Sequence, residues 1–141
     1  MIREDVVRFL DKRRDAYARL DGDALAADHT EDGVLESPAA GGTVSGRAAI
    51  AKVYRAFFAG FPDLTMDWAE PVIDGDRVVQ IAAASGTDTG GFLGLPPTGK
   101  RFNYPIVYMF TLEDGLIAHE RRIYDFTGML IQIGLLKAKP V

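Results

Sequence analysis

The chain has 141 residues, nearly half of them hydrophobic, which is the length and composition of one globular domain covering residues 1–141. A formal net charge of −4 argues against a nucleic-acid groove or an anionic membrane surface as a partner, since both favour clustered positive charge. The lack of cysteine excludes disulfides, thiolate nucleophiles and Cys-ligated metal centres.

The N-terminal residues show no targeting signal. Charged residues interrupt the apolar ones within the first ten positions, so the uninterrupted hydrophobic run of a signal peptide is missing. No later stretch approaches the length of a membrane span. We therefore expect a cytoplasmic protein without a membrane partner.

A first amphipathic helix is predicted at the start of the chain. Val6, Leu10 and Tyr17 lie at helical spacing, and Asp21-Gly22-Asp23 ends the pattern. The apolar stripe also contains Arg13, whose guanidinium either extends to the edge of the buried face or meets a buried acid. We expect the edge, because long charged side chains commonly keep their head groups in water.

Two further helices are predicted before the strands begin. Residues 23–29 form a short second helix, and residues 34–36 form a short extended segment that Ser37-Pro38 ends. Ser45 is the predicted N-cap of a third, aromatic-rich helix that stops at Gly60.

The spacing of the apolar residues then changes from the helical period toward the alternation of strands. Four strands are predicted, at Leu64–Ile73, Arg77–Asp88, Phe102–Leu112 and Leu116–Tyr124. Two of the links have the Asp-Gly chemistry of tight hairpins, namely Asp74-Gly75-Asp76 and Glu113-Asp114-Gly115. Strands joined by such short turns must pair antiparallel.

These elements predict an α+β fold. Helices gathered before the strands must cover one face of the sheet, so a curved antiparallel sheet wraps around the N-terminal helices and forms a cone with an internal pocket. A short C-terminal helix with Phe126 and Ile133 on one side, and with Asp125 as its N-cap, closes part of the open end.

Two motifs in the second half of the chain carry a family resemblance. Gly94-Leu95-Pro96-Pro97-Thr98 lies between two predicted strands, and Asp125-Phe126-Thr127-Gly128 precedes a helix ending in Gln132-Ile133-Gly134. With the helical N-terminal third, these motifs resemble the SnoaL-like polyketide cyclases, which have the nuclear-transport-factor-type cone fold. The resemblance implies a pocket between sheet and helices and a homodimer or tetramer that pairs the open sheets. It also implies, as in some members, aldol chemistry that needs no cofactor.

The resemblance also exposes a conflict at two positions where a cyclase carries its acid and base. These positions are Tyr108 and Arg122 in this chain, and a guanidinium with a pKa above about 12 cannot act as a base near neutral pH. A further cyclase histidine position is occupied by Asp88. Asp88 is therefore a candidate base, although an Asp before Thr89-Gly90-Gly91 serves equally well as a turn cap.

The last strand predicts an inward charge pair. Residues two apart share a face, so Glu120, Arg122 and Tyr124 point one way while His119 points the other. The resemblance implies that the first set faces the cavity, where Arg122 needs Glu120 or Asp88 as a partner. Arg122 could clamp a carboxylate or polarise a carbonyl, or it could form only a structural ion pair.

Aromatic side chains supply most of the remaining candidates. Tyr108 shares its face with Tyr104, and its hydroxyl either stabilises an enolate or simply lines the core. Tyr54 and Trp68 suit a flat ligand but suit ordinary packing equally well. Ser37 matches a position where cyclases have a polar side chain touching the ligand.

Neither a metal nor a cofactor is expected. The two histidines, His29 and His119, are too far apart in the sequence for a metal motif. Gly90, Gly91 and Gly94 precede a Pro-Pro turn, so they suit a flexible lip over the pocket better than a phosphate loop.

The sequence thus favours a cofactor-independent cyclase or isomerase that acts on a small apolar or aromatic carbonyl compound. In this hypothesis Asp88 or Glu120 is the acid/base, Arg122 is the electrostatic anchor and Tyr108 is the hydrogen-bond donor. The alternative is a protein of the same fold that only binds a ligand or only dimerises.

Overall fold

The predicted helices and strands occur in the predicted order, and the structure adds a short strand at residues 42–45 that the sequence analysis does not predict. The computed structural model describes residues 1–138. Its helices are α1 (Arg3–Ala18), α2 (Gly22–Ala27), α3 (Arg47–Gly60) and α4 (Phe126–Gln132), and a 3₁₀ turn occupies Pro38–Ala40. Its strands are β1 (His29–Ser37), β2 (Gly42–Ser45), β3 (Thr65–Trp68), β4 (Val72–Asp74), β5 (Arg77–Thr87), β6 (Arg101–Glu113) and β7 (Leu116–Tyr124).

The strands form one curved, unclosed sheet in the order β2-β1-β7-β6-β5-β3, with β4 also paired to β5. This arrangement confirms the α+β class. The pairings are antiparallel except that β1 runs parallel to β7, with Val34 opposite His119. The sequence predicts an all-antiparallel sheet that does not include β1. No turn motif links β1 to β7, because the two strands are far apart in the chain.

Buried side chains alternate strictly with more exposed ones along β6, so one face of the sheet is excluded from water. The inward side chains of β6, at every second position from Phe102 to Leu112, are each at most 4% exposed. Helix α1 covers this face with Leu10 and Tyr17, and helix α3 covers it with Tyr54 and Phe58. Any polar group on this face of the sheet must therefore find its partners inside the core.

Several helix and strand boundaries differ from those that the sequence predicts. The stretch 64–73 is two strands rather than one, because Pro71 in the intervening segment lacks the N–H that a continuous ladder requires. Gly46, not Ser45, is the N-cap of α3, and no side chain caps that helix. Helix α2 ends at Ala27 because His29 already begins β1.

Asp88 stabilises the loop between β5 and β6 through hydrogen bonds within that loop. Its carboxylate is fully buried and accepts hydrogen bonds from the Gly91 N–H and from the Thr98 N–H and hydroxyl, each at 3.1 Å. These contacts are those of the turn cap, which was one of the two roles that the sequence left open for this residue.

The same loop is packed tightly against the end of α3. The Gly90 N–H donates to the Gly60 carbonyl at 3.0 Å, and a Cβ atom at Gly90 would overlap the Ala59 carbonyl oxygen. The expectation of a flexible lip was therefore wrong for this part of the loop. Glycine is required here because the two backbones approach each other closely.

We predict that Gly90→Ala lowers the free energy of unfolding by about 2 kcal/mol, because the new methyl group must push the loop away from α3. Denaturant titration measures the change. The control is Gly94→Ala, where φ is +73° but no atom lies within 4 Å of the added Cβ. That variant carries only backbone strain of about 1 kcal/mol. Equal losses in the two variants would contradict the close-packing argument.

Candidate functional site

A fully buried carboxylate, Glu120 on β7, is the centre of a polar cluster inside the cone. Its Oε1 accepts hydrogen bonds from the Tyr54 hydroxyl at 2.7 Å and from His29 Nε2 at 2.9 Å. Its Oε2 accepts from Arg122 Nε at 2.6 Å, and Arg13 Nη2 lies 3.6 Å from Oε1. The cluster thus joins side chains from α1, α3, β1 and β7.

The surrounding charges decide the protonation of Glu120. Burial acts to raise its pKa, but the charge of Arg122, the hydrogen bond and charge of His29 and the charge of Arg13 together hold the pKa well below the usual range. Glu120 is therefore ionised at neutral pH. A carboxylate with so low a pKa is a weak base, and both of its oxygens already accept hydrogen bonds.

His29, which is fully buried at the start of β1, bridges two acceptors. Its Nδ1 lies 3.0 Å from the Leu25 carbonyl oxygen, and its Nε2 lies 2.9 Å from ionised Glu120. These two contacts hold the His29 ring between α2 and β7.

The expectation that Arg13 extends to the edge of α1 was wrong. The residue is only 2% exposed, and its Nη2 donates to the Tyr54 hydroxyl at 2.8 Å. Its Nη1 donates to the Leu25 carbonyl at 3.3 Å and to Asp28 Oδ2 at 3.4 Å. Because α1 packs across the sheet, its whole apolar stripe faces inward, and buried acids make the inward charge tolerable.

Arg122 belongs to this cluster and also lines the central cavity. Its Nε is held by Glu120, and its guanidinium carbon lies 4.5 Å from the centroid of the Tyr54 ring and 5.7 Å from that of Tyr108. Its Nη2 is buried and has no hydrogen-bond partner among the described residues. A buried N–H group without an acceptor is costly, so this nitrogen is suited to receive an oxygen from a bound molecule.

Tyrosines form most of the polar wall beside Arg122. The Tyr17 hydroxyl donates to the Tyr108 hydroxyl at 3.0 Å, which leaves the Tyr108 proton available to another acceptor. Tyr104 stacks on Tyr124 with ring centroids 4.8 Å apart. Burial raises the pKa of each of these phenols, so they are donors and not bases at neutral pH.

A central cavity lies between this wall and the helices, lined among others by Tyr17, Tyr54, Tyr104, Tyr108 and Arg122. Its volume is about 20 Å³. A single water needs about 10–15 Å³, so the closed cavity has no room for an aromatic molecule.

A larger groove opens beside the central cavity. It has a volume of about 360 Å³ and lies between the 3₁₀ turn, one face of α3 and residues 91–94. Phe57 and Arg122 line both spaces, so the Phe57 ring forms part of the wall between them. A ligand in the groove can therefore reach Arg122 without entering the cavity.

The predicted site residues fall into two groups. One group comes together in or directly behind the wall of the central cavity: Tyr54, Tyr104, Tyr108, Glu120 and Arg122. The others lie elsewhere: Asp88 is enclosed by its own loop, Ser37 is buried at the end of β1, and Trp68 packs against Tyr17 and Tyr108 outside the cavity lining.

Sequence reasoning missed several residues of the site. His29 was considered only as a metal ligand, and its partner Glu120 lies 91 residues away in the chain. Tyr17 belongs to the predicted helical stripe and Phe57 to the predicted aromatic-rich helix, and neither pattern indicates a site role. Within residues 1–138 no group of three or more His, Cys, Asp or Glu side chains could hold a metal ion. None of the helices described has the length and apolar character needed to cross a membrane.

The family comparison covers nearly the whole chain. The sequence profile of the SnoaL-like polyketide cyclases matches residues 4–133. No curated protein sequence matches the chain.

Solved structures of the same fold are similar over most of their length. TsrD from Streptomyces laurentii is 26% identical, with a TM-score of 0.82, covering 96% of this chain and 99% of that one. IdmH from Streptomyces antibioticus, described as a candidate polyketide cyclase, is 28% identical, with a TM-score of 0.73 and coverage of 91% and 97%. A candidate SnoaL-like polyketide cyclase from Jannaschia sp. CCS1 shares the fold at 24% identity, with a TM-score of 0.77 and coverage of 93% and 94%.

We predict that no tyrosine titrates normally in the folded protein. Burial raises the pKa of all five tyrosines, whereas unfolded phenols lose their protons near pH 10. The unfolded state therefore releases protons that the folded state retains, and stability falls as the pH rises above about 10. Phenolate absorbance and circular dichroism should change together in an alkaline titration.

The control for this titration is the protein in denaturant, where all the phenols should ionise at their usual pKa. Ionisation of a tyrosine near pH 10 with the fold intact would contradict the burial of the phenol wall.

Proposed function

The chain belongs to the SnoaL-like polyketide cyclase family, and we propose that it binds a flat, largely apolar carbonyl compound and stabilises the enolate of that compound. Such an enolate forms in aldol cyclisations and in isomerisations that need no cofactor. The observation that carries the proposal is the buried Nη2 of Arg122, which has no hydrogen-bond partner among the described residues. Arg122 is a lining residue of both the central cavity and the groove.

Arg122 is the proposed anchor for the carbonyl oxygen. Glu120 fixes the guanidinium through Nε, and the rings of Tyr54 and Tyr108 lie against it. A donor that is already oriented needs little reorganisation when negative charge develops on a ligand oxygen. In this proposal Glu120 is a positioning residue that acts through Arg122.

Tyr108 is the proposed second donor. Its hydroxyl accepts from Tyr17 and keeps its own proton. Tyr108 lines the cavity and not the groove, so it would act on a ligand oxygen that passes the Phe57 ring into the cavity, which is large enough for a single oxygen atom. Burial holds the pKa of Tyr108 above its ordinary value, which keeps the phenol protonated and able to donate. Tyr104 and Tyr54 would contribute aromatic wall, while the packing of Trp68 and Ser37 supports only indirect roles.

Neither carboxylate that the sequence offers as a base is suited to that role. The low pKa of Glu120 and the three hydrogen bonds of Asp88 favour structural roles for both carboxylates. We propose that the C–H proton passes to water in the groove, while Arg122 and Tyr108 stabilise the electron pair left on the enolate oxygen.

One observation favours a second candidate function. Because each of the two predicted carboxylates already accepts three hydrogen bonds, the same pocket would serve a protein that binds its ligand without turnover. The two functions share the anchor Arg122 and differ only in whether proton exchange is accelerated.

A homodimer is the proposed assembly. The outer face of the sheet presents a row of apolar side chains across three strands, since Ile81 pairs with Val107 and Val107 pairs with Ile123. Ile81 and Ile123 are 45% and 46% exposed. Burial of such a row against a second copy would remove apolar surface from water.

We predict that Ile123→Glu yields a monomer in analytical ultracentrifugation, because it places a charge in the centre of that row. Leu95→Glu, at a similarly exposed position on the loop after β5, is the control and should leave the assembly unchanged. A wild-type protein that is monomeric at high concentration would exclude the proposed dimer.

We predict that Arg122→Met weakens binding of 1-hydroxy-2-acetonaphthone, an aromatic mimic of an enolised dicarbonyl, by about tenfold or more, since a charge-assisted hydrogen bond is lost. Fluorescence titration measures the affinity. Tyr108→Phe should weaken binding less, and Tyr104→Phe is its matched control. If Arg122→Met fails to fold, the double variant Glu120→Gln with Arg122→Met removes both charges and keeps the test available. Unchanged affinity in the folded variant would remove Arg122 from the site.

Turnover separates the two candidate functions. Deuterium uptake at C1 of 2-tetralone, followed by nuclear magnetic resonance, reports formation of the enolate. Acceleration that Arg122→Met abolishes supports the enzyme. Saturable binding of the same ketone with an unchanged exchange rate supports the binding protein.

A further inference from the structure

The groove carries a charge pattern that the central cavity lacks. Its described lining is formed by apolar or glycine residues except for two cations, Lys52 on α3 and Arg122 on β7. No carboxylate belongs to that lining. The whole chain has a net charge of −4, so this concentration of positive charge is local and opposes the general character of the protein.

Helical geometry places Lys52 at the outer side of the groove. Lys52 and Val53 lie one turn from Ala56 and Phe57, and all four line the groove. Lys52 is exposed and Phe57 is half buried, so this face of α3 leads from solvent to the inner wall. A bound molecule would meet the ammonium at one end and the guanidinium at the other.

The buried cluster behind Arg122 does not cancel this charge. Arg13 and Arg122 are balanced by Asp28 and Glu120, two cations against two anions. Lys52 belongs to none of the ion pairs found in residues 1–138, so the charge of its ammonium has no partner there. The groove is thus left with an excess of positive charge that an anionic ligand would neutralise.

We infer that the groove selects an organic acid: a flat aromatic or polyketide-like molecule with a free carboxylate at the Lys52 end and a carbonyl oxygen at Arg122. The inference rests on the proposed function in taking Arg122 as the carbonyl anchor. It adds the charge of the ligand and identifies Lys52 as the residue that distinguishes a free acid from its ester.

The walls between the two cations fit the middle of such a molecule. Val53 and Ala56 from α3 and Phe92 and Leu93 from the loop after β5 form apolar sides. A fused ring system would bury its apolar surface there, while its polar ends remain paired. An ester would make the same ring contacts and the same contact with Arg122, but it would leave Lys52 without a counter-charge.

The experiment compares 6-acetyl-2-naphthoate with its methyl ester, using isothermal titration calorimetry at low ionic strength. We expect the acid to bind about fivefold more tightly than the ester, the effect of one partly exposed ion pair. Raising the salt to about 1 M shortens the Debye length to about 3 Å and should remove most of the preference. The ester affinity should change little with salt.

Two variants localise the preference. Lys52→Met keeps most of the apolar stem, so the acid should lose its advantage while the ester binds as before. Lys52→Glu should make the acid the weaker ligand. Lys100→Met removes the same charge from a lysine whose ammonium lies beside Gly134, and it should preserve the preference.

The outcomes separate this inference from the proposed function. The selection of an acid would be overturned if acid and ester bound the wild type equally, or if the preference survived in Lys52→Met. In either case, binding of the ester that depends on Arg122 would still support the proposed function. Failure of both ligands to bind would instead count against the carbonyl site at Arg122, and the acid preference would fall with it.

Discussion

The ionised Glu120 inside the cone is the constraint on which the rest of the structure depends. A carboxylate removed from water must be compensated by charges and donors in fixed positions, and here they come from α1, α3, β1 and β7. Arg13, Tyr54, His29 and Arg122 therefore fix how the helices sit on the sheet. Since each of them is also bound by a second partner or ring, removal of any one would leave another buried group unsatisfied.

The same constraint holds the Arg122 guanidinium in place and leaves one of its nitrogens without a partner within residues 1–138. Glu120 and two aromatic rings hold the guanidinium, yet one of its nitrogens has no partner in the described part of the chain. On the other side of the groove, the hydrogen bonds of Asp88 and the close packing of Gly90 hold the loop. A ligand would thus contact a guanidinium and a loop that are both held in place. The Phe57 ring would lie between the groove and the cavity.

The sequence predicted the parts of the fold that depend on local patterns. Apolar periodicity and the Asp-Gly turns located the helices and the long hairpins, and the alternation on the last strand placed Glu120 beside Arg122. The rest depends on long-range contacts. Nothing near Arg13 indicates that Glu120 will face it from across the domain, and nothing near His29 identifies its acceptor. Asp88 had two equal local interpretations, and only the path of its loop distinguishes them.

The parallel pairing of β1 with β7 has a consequence for synthesis on the ribosome. Helix α1 and strand β1 leave the exit tunnel long before Glu120 is made, and the strand that β1 must join is among the last elements of the chain. Until then Arg13 and His29 have no buried acid on β7, so docking of the N-terminal half in its final position is disfavoured. The nascent chain therefore completes its fold only after the last strand emerges, and incomplete chains remain exposed to chaperones and proteases.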